Sequence, residues 1–258
     1  YLFIVIGAGH NSKAVAMAYM APVIAGIIMT YKGKYLWGAT FTAISLALEI
    51  MAGHIQITYY LFIVVLILVI VEFIYSIKDK RFPEFVKASS ILVIAATLAI
   101  LTNTINLYAN YEFGKETMRG KPVLTENTEN QTRGLDRDYV TQWSYGIGET
   151  WSLMIPNAKG GASAYIGNDN PALENANPRF RSSIAQSNAY WGDQPGTSGP
   201  VYVGAIVCFF FILGLFVVKG KIKWVMLIAT ILSILLSWGK NFMGFTDFFL
   251  DYFPMYNK

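Results

Sequence analysis

The sequence predicts an all-α polytopic membrane protein with an extracytoplasmic domain inserted between its spans. Three observations predict it. The 258 residues are 54% hydrophobic and only 14% charged, with a mean hydropathy of +0.42, whereas an average soluble domain is about 25% charged. The apolar residues are clumped into nearly charge-free stretches of roughly 17–20 residues, the length that crosses the hydrocarbon core. No strand alternation accompanies them, which argues against an outer-membrane barrel. The same composition argues against disorder and against an ordinary cytosolic domain.

Along the chain, residues 1–8 read as the end of a helix, and the absence of an initial Met suggests an internal fragment. Six full spans follow, at residues 14–30, 35–52, 57–77, 88–108, 201–218 and 222–238. The third is the plainest, since LFIVVLILVIV is unbroken by polarity. Cationic residues orient the set. Lys32, Lys34, Lys78, Lys80, Arg81, Lys87, Lys219, Lys221 and Lys223 fall in one alternating set of short loops, and only Lys13 and Lys240 in the other. The nine mark the cytoplasmic side. That orientation puts residues 109–199 outside the cytoplasm. The single Cys208 permits no internal disulfide.

Three blocks are thus expected: the first part of the bundle at 1–108, an extracytoplasmic domain at 109–199, and two spans with an interfacial helix at 200–258. The middle block is rich in Asn, Gly, Pro, Ser and Thr, with eight basic and ten acidic residues. Its beginning, 112–137, is polar, and a helix is expected at 148–155, stopped by Pro156. After Trp238, the residues Phe245, Phe248, Phe249 and Tyr252 repeat at i, i+3, i+4, i+7, with Asp247 and Asp251 opposite. This spacing predicts an amphipathic helix in the outer interface, aromatic face in lipid.

Polar groups inside spans are costly and need partners or a wet cavity. Gly38, Thr42, Ser45 and Glu49 form one stripe that must face the bundle interior. Glu49 is either a carboxylate at the floor of an outward cavity or the acceptor of an interhelical hydrogen bond. Glu72 is expected to reach Lys78 and Lys80. His10 and His54 each follow a glycine, in GHNSK and GHIQ, and both fall on the outer side. Lys13 sits where the charge bias disfavours lysine, which suits a phosphate contact as well as plain solvation. No HxxxH or HExxH spacing supports a metal site, so a divalent ion has no support in the sequence.

In the inserted segment, Glu149 lies among Trp143, Tyr145 and Trp151, and Tyr190 and Trp191 repeat the mixture beside Asp193 and Gln194. Rings that stack on sugar C–H faces beside groups that bond hydroxyls make a carbohydrate platform. The same residues equally make the core of a small domain. The glycines form neither a GxGxxG nor a P-loop, and the basic residues form no exposed stripe, so neither a nucleotide nor a nucleic-acid partner is indicated.

These motifs together resemble the YfhO-like family of bacterial membrane proteins. The resemblance is carried by GAGHNSKAVAMAYMAP (7–22), GHIQITYY (53–60), QWSYGIGETWSLMIPNAKGG (142–161), YWGDQPGTSGPVYVG (190–204) and SWGKNF with FFLDYFPMYNK (237–258). It implies a GT-C-like glycosyltransferase that moves a sugar from a polyprenyl-phosphate donor to a cell-envelope glycan acceptor at the extracytoplasmic face. His10, Lys13, His54, Gln56 and Lys258 would contact the donor phosphate or its sugar. Trp143, Tyr145, Trp151 and Trp191 would contact sugar or acceptor. The family's catalytic carboxylate normally lies in a first outer loop upstream of Tyr1, which leaves Glu49 and Glu149 as the only substitutes here. The competing classes are a lipid or saccharide transporter or flippase, and a noncatalytic envelope-assembly protein.

Overall fold

The structure, a computed structural model, describes residues 2–115, 135–196 and 202–256. Lys258, and most of the polar stretch 112–137, lie outside the described residues. Two compact units divide the chain: Tyr1–Thr117 with Val218–Ala229, and Met118–Val217 with Thr230–Lys258.

The first unit is helical. α1 (Leu2–Gly7) is followed by α2 (Asn11–Tyr31), α3 (Tyr35–Met51), α4 (Ile55–Lys78), α5 (Phe82–Thr102) and α6 (Thr104–Lys115). Three-residue turns make successive helices from α2 to α5 antiparallel. The central seam is α2 on α3, where Gly26 faces Thr42 and Gly38 faces Thr30. Small residues four apart on both helices let the two backbones approach closely. The threonine hydroxyls are satisfied within their own helices, Thr30 donating to the Gly26 carbonyl at 2.9 Å and Thr42 to that of Gly38 at 2.8 Å. The predicted stripe of Gly38, Thr42, Ser45 and Glu49 is indeed buried.

Outward faces are apolar: Trp37 is 73% exposed on α3 and Val93 64% on α5. Lipid rather than water suits such faces. At the end that carries Lys32 and Lys34, Tyr31 stacks on Phe85, Phe73 and Phe82 close the ring cluster, and Lys87 caps the Tyr35 ring at 4.5 Å. Aromatic rings mixed with lysines are typical of a membrane–water interface.

Several expectations change. The fourth span, expected at 88–108, is α5, and it starts and ends earlier. Pro83 and Glu84 favour a helix start in its first turn. Asn103 stops it by spending its amide on carbonyls, donating to Ala47 at 3.1 Å and Ala99 at 3.0 Å. Glu72 pairs with Lys221 rather than Lys78 or Lys80. That partner is far away in sequence, so local spacing could not reveal it.

Among the described residues, α2, α4 and α5 are long and apolar enough to cross a membrane. α3, at 17 residues, is shorter.

The second unit mixes short elements. They are α7 (Arg137–Thr141), a 3-10 turn at Ile147–Leu153, β1 (Gly160–Tyr165), α8 (Arg181–Ala185) and β2 (Asn188–Tyr190). β1 and β2 pair antiparallel, Gly160 opposite Tyr190, a strand pair that the sequence reading did not foresee. The α-helix expected at 148–155 is the tighter 3-10 form, and it ends two residues earlier. α9 (Ala205–Val217) has 13 residues, about 20 Å at 1.5 Å per residue. α10 (Ile222–Ser237) begins in the first unit and ends in the second.

At Trp238 the chain bends by 107° into a segment that ends with α11 (Met243–Tyr252). Counting that bent pair as one broken span raises the number of candidate spans to four. The aromatic face of α11 is only partly open. Phe248 and Tyr252 are exposed, while Phe249 is buried among Phe245, Phe253 and Tyr256. Asp247 and Asp251, on the other side, are clasped by Arg137 at 3.0 and 2.8 Å.

Candidate functional site

Each unit brings sequence-predicted residues together in its own way. In the first unit, antiparallel packing puts the turn before α2 and the turn between α3 and α4 at one end of the bundle. The two turns use the same device. Gly9 and Gly53 take the left-handed conformation (φ +81° and +73°), which a side chain would strain, and His10 and His54 follow as N-caps of α2 and α4. This explains the repeated Gly-His in physical terms. His10 is exposed and its side chain does not cap the helix, while His54 is half-buried. Lys13 is half-buried in the first turn of α2. Gln56 is exposed and donates to the Tyr60 hydroxyl at 2.8 Å. This end therefore presents a cation, two imidazoles and an amide, a set suited to an anionic oxygen. Glu49 lies near the same end but is sealed inside the bundle.

In the second unit the centre is Glu149, which is 1% exposed. Its carboxylate accepts from the Gly146 N–H, from the Asp193 N–H at 3.2 Å and from the Tyr190 hydroxyl. The bond back to Gly146 is the carboxylate half of a capping box and holds the 3-10 turn. Tyr190 Oη also accepts from the Gln194 N–H at 3.1 Å, and Gln194 Nε2 donates to the Trp143 carbonyl at 2.7 Å. Gly192 is required here, because a Cβ would strike both Glu149 Oε1 and the Tyr190 ring.

A third strand of chain joins this frame. Lys240 N–H donates to Ser144 Oγ at 2.9 Å, Asn241 Nδ2 to the Tyr145 carbonyl at 2.8 Å, and Trp238 Nε1 to Thr150 Oγ1 at 2.8 Å. Three segments that are distant in sequence (142–161, 190–195 and 237–242) are thus laced into one framework.

That framework displays its indoles. Trp143, Trp151 and Trp191 are 57%, 60% and 72% exposed, and Tyr145 is half-buried. Beside it lies an open cavity of about 360 Å³ lined by Asp138, Thr141, Gln142, Asp193, Pro195 and Lys240. Carboxylate, amide, hydroxyl and ammonium groups together suit a polyol. The sequence places Tyr190 in the aromatic–acid–amide run 190–194 but not its bond to Glu149, and it gives no local signal for Asp138 or Arg137. Among the described residues no cluster of three or more His, Cys, Asp or Glu is placed to hold a metal ion.

Burial, and next the bond to Glu149, push the Tyr190 phenol from its ordinary 10 up to about 12. A raised value means that the neutral phenol is the form favoured by folding. Its contribution is complete below pH 10 and is lost as pH rises through about 12. A Tyr190-dependent part of the second unit's stability is therefore expected to persist up to pH 10 and to fade between 10 and about 12, followed by tryptophan fluorescence in comparison with Tyr190→Phe. Tyr190→Phe should remove that component, and an equal pH dependence in this variant would refute it.

Compared with known proteins, the chain matches no family model, no curated protein and no solved structure.

Proposed function

We propose that this protein is a membrane glycosyltransferase of the GT-C type, akin to the YfhO-like family. It would transfer a sugar from a polyprenyl-phosphate donor to a cell-envelope glycan acceptor on the extracytoplasmic side of the bacterial inner membrane. The observation that carries the reading is the exposed set Trp143, Trp151 and Trp191 on a hydrogen-bonded frame, in a chain that also has helices able to cross a membrane. A lipid-linked saccharide needs both a bilayer and rings on which to stack. In this reading α3, α9 and the later bent pair cross together with α2, α4 and α5 to make six spans.

The chemistry is an inverting displacement. The acceptor hydroxyl attacks the anomeric carbon as a base takes its proton, and the bond from that carbon to the phosphate oxygen breaks. Charge then grows on the departing polyprenyl phosphate. Lys13 and His10 stabilise it, with His54 and Gln56 alongside. Neither Glu49 nor Glu149 is assigned as the base, because the first is sealed in the bundle and the second is committed to three donors. The other reading, a lipid or saccharide transporter, draws on the 107° break after α10, since broken helices line many transport sites.

The double variant His10→Ala/Lys13→Ala is expected to lower transfer by roughly 10²–10³-fold, the cost of removing charge stabilisation at a transition state. Purified protein supplied with radiolabelled polyprenyl-phosphate sugar and a cell-envelope glycan acceptor measures it. Full transfer by that variant would remove both residues from the mechanism.

A further inference from the structure

Glu49 and Thr58 make a buried polar pair for which the transfer chemistry has no use. Glu49 is 0% exposed, and neither oxygen of its carboxylate has a hydrogen-bond donor among the described residues. Thr58, in the first turn of α4, brings its hydroxyl close enough to act on that carboxylate, but not in the geometry of a hydrogen bond, and among the described residues its buried Oγ1 has no other partner. The nearby Asn103 amide is spent on the Ala47 and Ala99 carbonyls. Among the described residues, three oxygen atoms and one formal negative charge therefore meet with no ion pair to the carboxylate. A bare carboxylate in a dry helix bundle is costly, and more so within a bilayer.

The donor set indicates what would satisfy it. Oxygen-only ligands take hard cations. The charge sets the valence: one carboxylate is neutralised by a monovalent ion, whereas a divalent ion would leave net charge in an apolar interior. Access is short. Glu49 lies two residues before the end of α3 and Thr58 three residues after the start of α4, so both are about one helical turn from the connecting residues 52–54. The geometry points to a buried monovalent metal-cation site formed by Glu49 and Thr58, for which sodium is the probe.

The full chain in lipid nanodiscs tests this without any sugar donor, so its outcome is independent of the transferase reading. Radioactive sodium should bind saturably. Sodium, unlike choline, should also protect Glu49 from a membrane-permeant carbodiimide, with labelling read by mass spectrometry and lowered about tenfold at saturating sodium. Glu49→Gln should abolish sodium binding, and Thr58→Ala should weaken it about tenfold, as expected for one lost ligand to a charged centre. Equal labelling of Glu49 in sodium and choline would overturn the proposal, because a proton would then be the neutralising ion. Sodium binding that survives Glu49→Gln would overturn it as well. Should Glu49→Gln fail to fold, protection in the wild type and the Thr58→Ala affinity still decide.

Discussion

Glu149→Ala is expected to destabilise the second unit by about 3 kcal/mol or more, since each buried donor left without its acceptor costs ~1–3 kcal/mol. The carboxylate is the acceptor on which the Gly146 N–H, the Asp193 N–H and the Tyr190 hydroxyl all depend. Alanine leaves these donors buried without a partner and adds a cavity. Glu149→Gln keeps the shape but offers one carbonyl oxygen where two oxygens accepted, so an intermediate loss is expected. Denaturant unfolding followed by tryptophan fluorescence measures both. An alanine variant within about 0.5 kcal/mol of wild type would place Glu149 among tolerant surface positions and remove the framework from the account. Saccharide binding should fall with the framework, because the segments that bear Trp143, Trp151 and Trp191 would no longer be held.

The second large effect belongs to the α2–α3 seam. A Cβ at Gly26 would lie 2.8 Å from the Thr42 nitrogen and 3.0 Å from the Gly38 carbonyl oxygen. One at Gly38 would lie 2.6 Å from the Thr30 nitrogen and 2.9 Å from the Gly26 oxygen. These are backbone atoms and cannot swing aside. Gly26→Leu or Gly38→Leu should thus cost more than the ~1–3 kcal/mol of ordinary overpacking, enough to prevent accumulation of folded protein. Gly244→Leu, at an exposed glycine with nothing among the described residues within 4 Å of an added Cβ, is the control expected to accumulate normally. Equal yields of folded protein from all three variants, by size-exclusion in detergent, would contradict the close approach.

How much of this could be read from the residues depends on the range of each interaction. Apolar runs and the inward stripe of α3 are local patterns, and hydropathy with helical period finds them. Helix ends are harder: hydropathy runs through Asn103, yet its amide captures carbonyls and stops α5. Long-range pairs leave no local trace. Nothing near Glu72 names Lys221, and nothing near α11 names Arg137 as the residue that holds Asp247 and Asp251. Residues 143–151 announced an aromatic cluster around a carboxylate, but not whether it was core or platform. The structure separates the two parts: Glu149 is buried while the indoles stand exposed. Glu49 was ambiguous for the opposite reason. Its stripe required burial, but only the packed helices reveal that no well-formed hydrogen bond reaches the carboxylate among the described residues.

The most direct test of the transferase reading is the fate of the donor lipid. Wild-type protein reconstituted into sealed vesicles would be given polyprenyl-phosphate sugars labelled separately in the sugar and in the lipid, together with a cell-envelope glycan acceptor. The account predicts that the sugar label moves onto the acceptor while free polyprenyl phosphate accumulates in equal amount. Passage of the intact donor across the bilayer, with both labels still joined, would contradict it and establish transport instead.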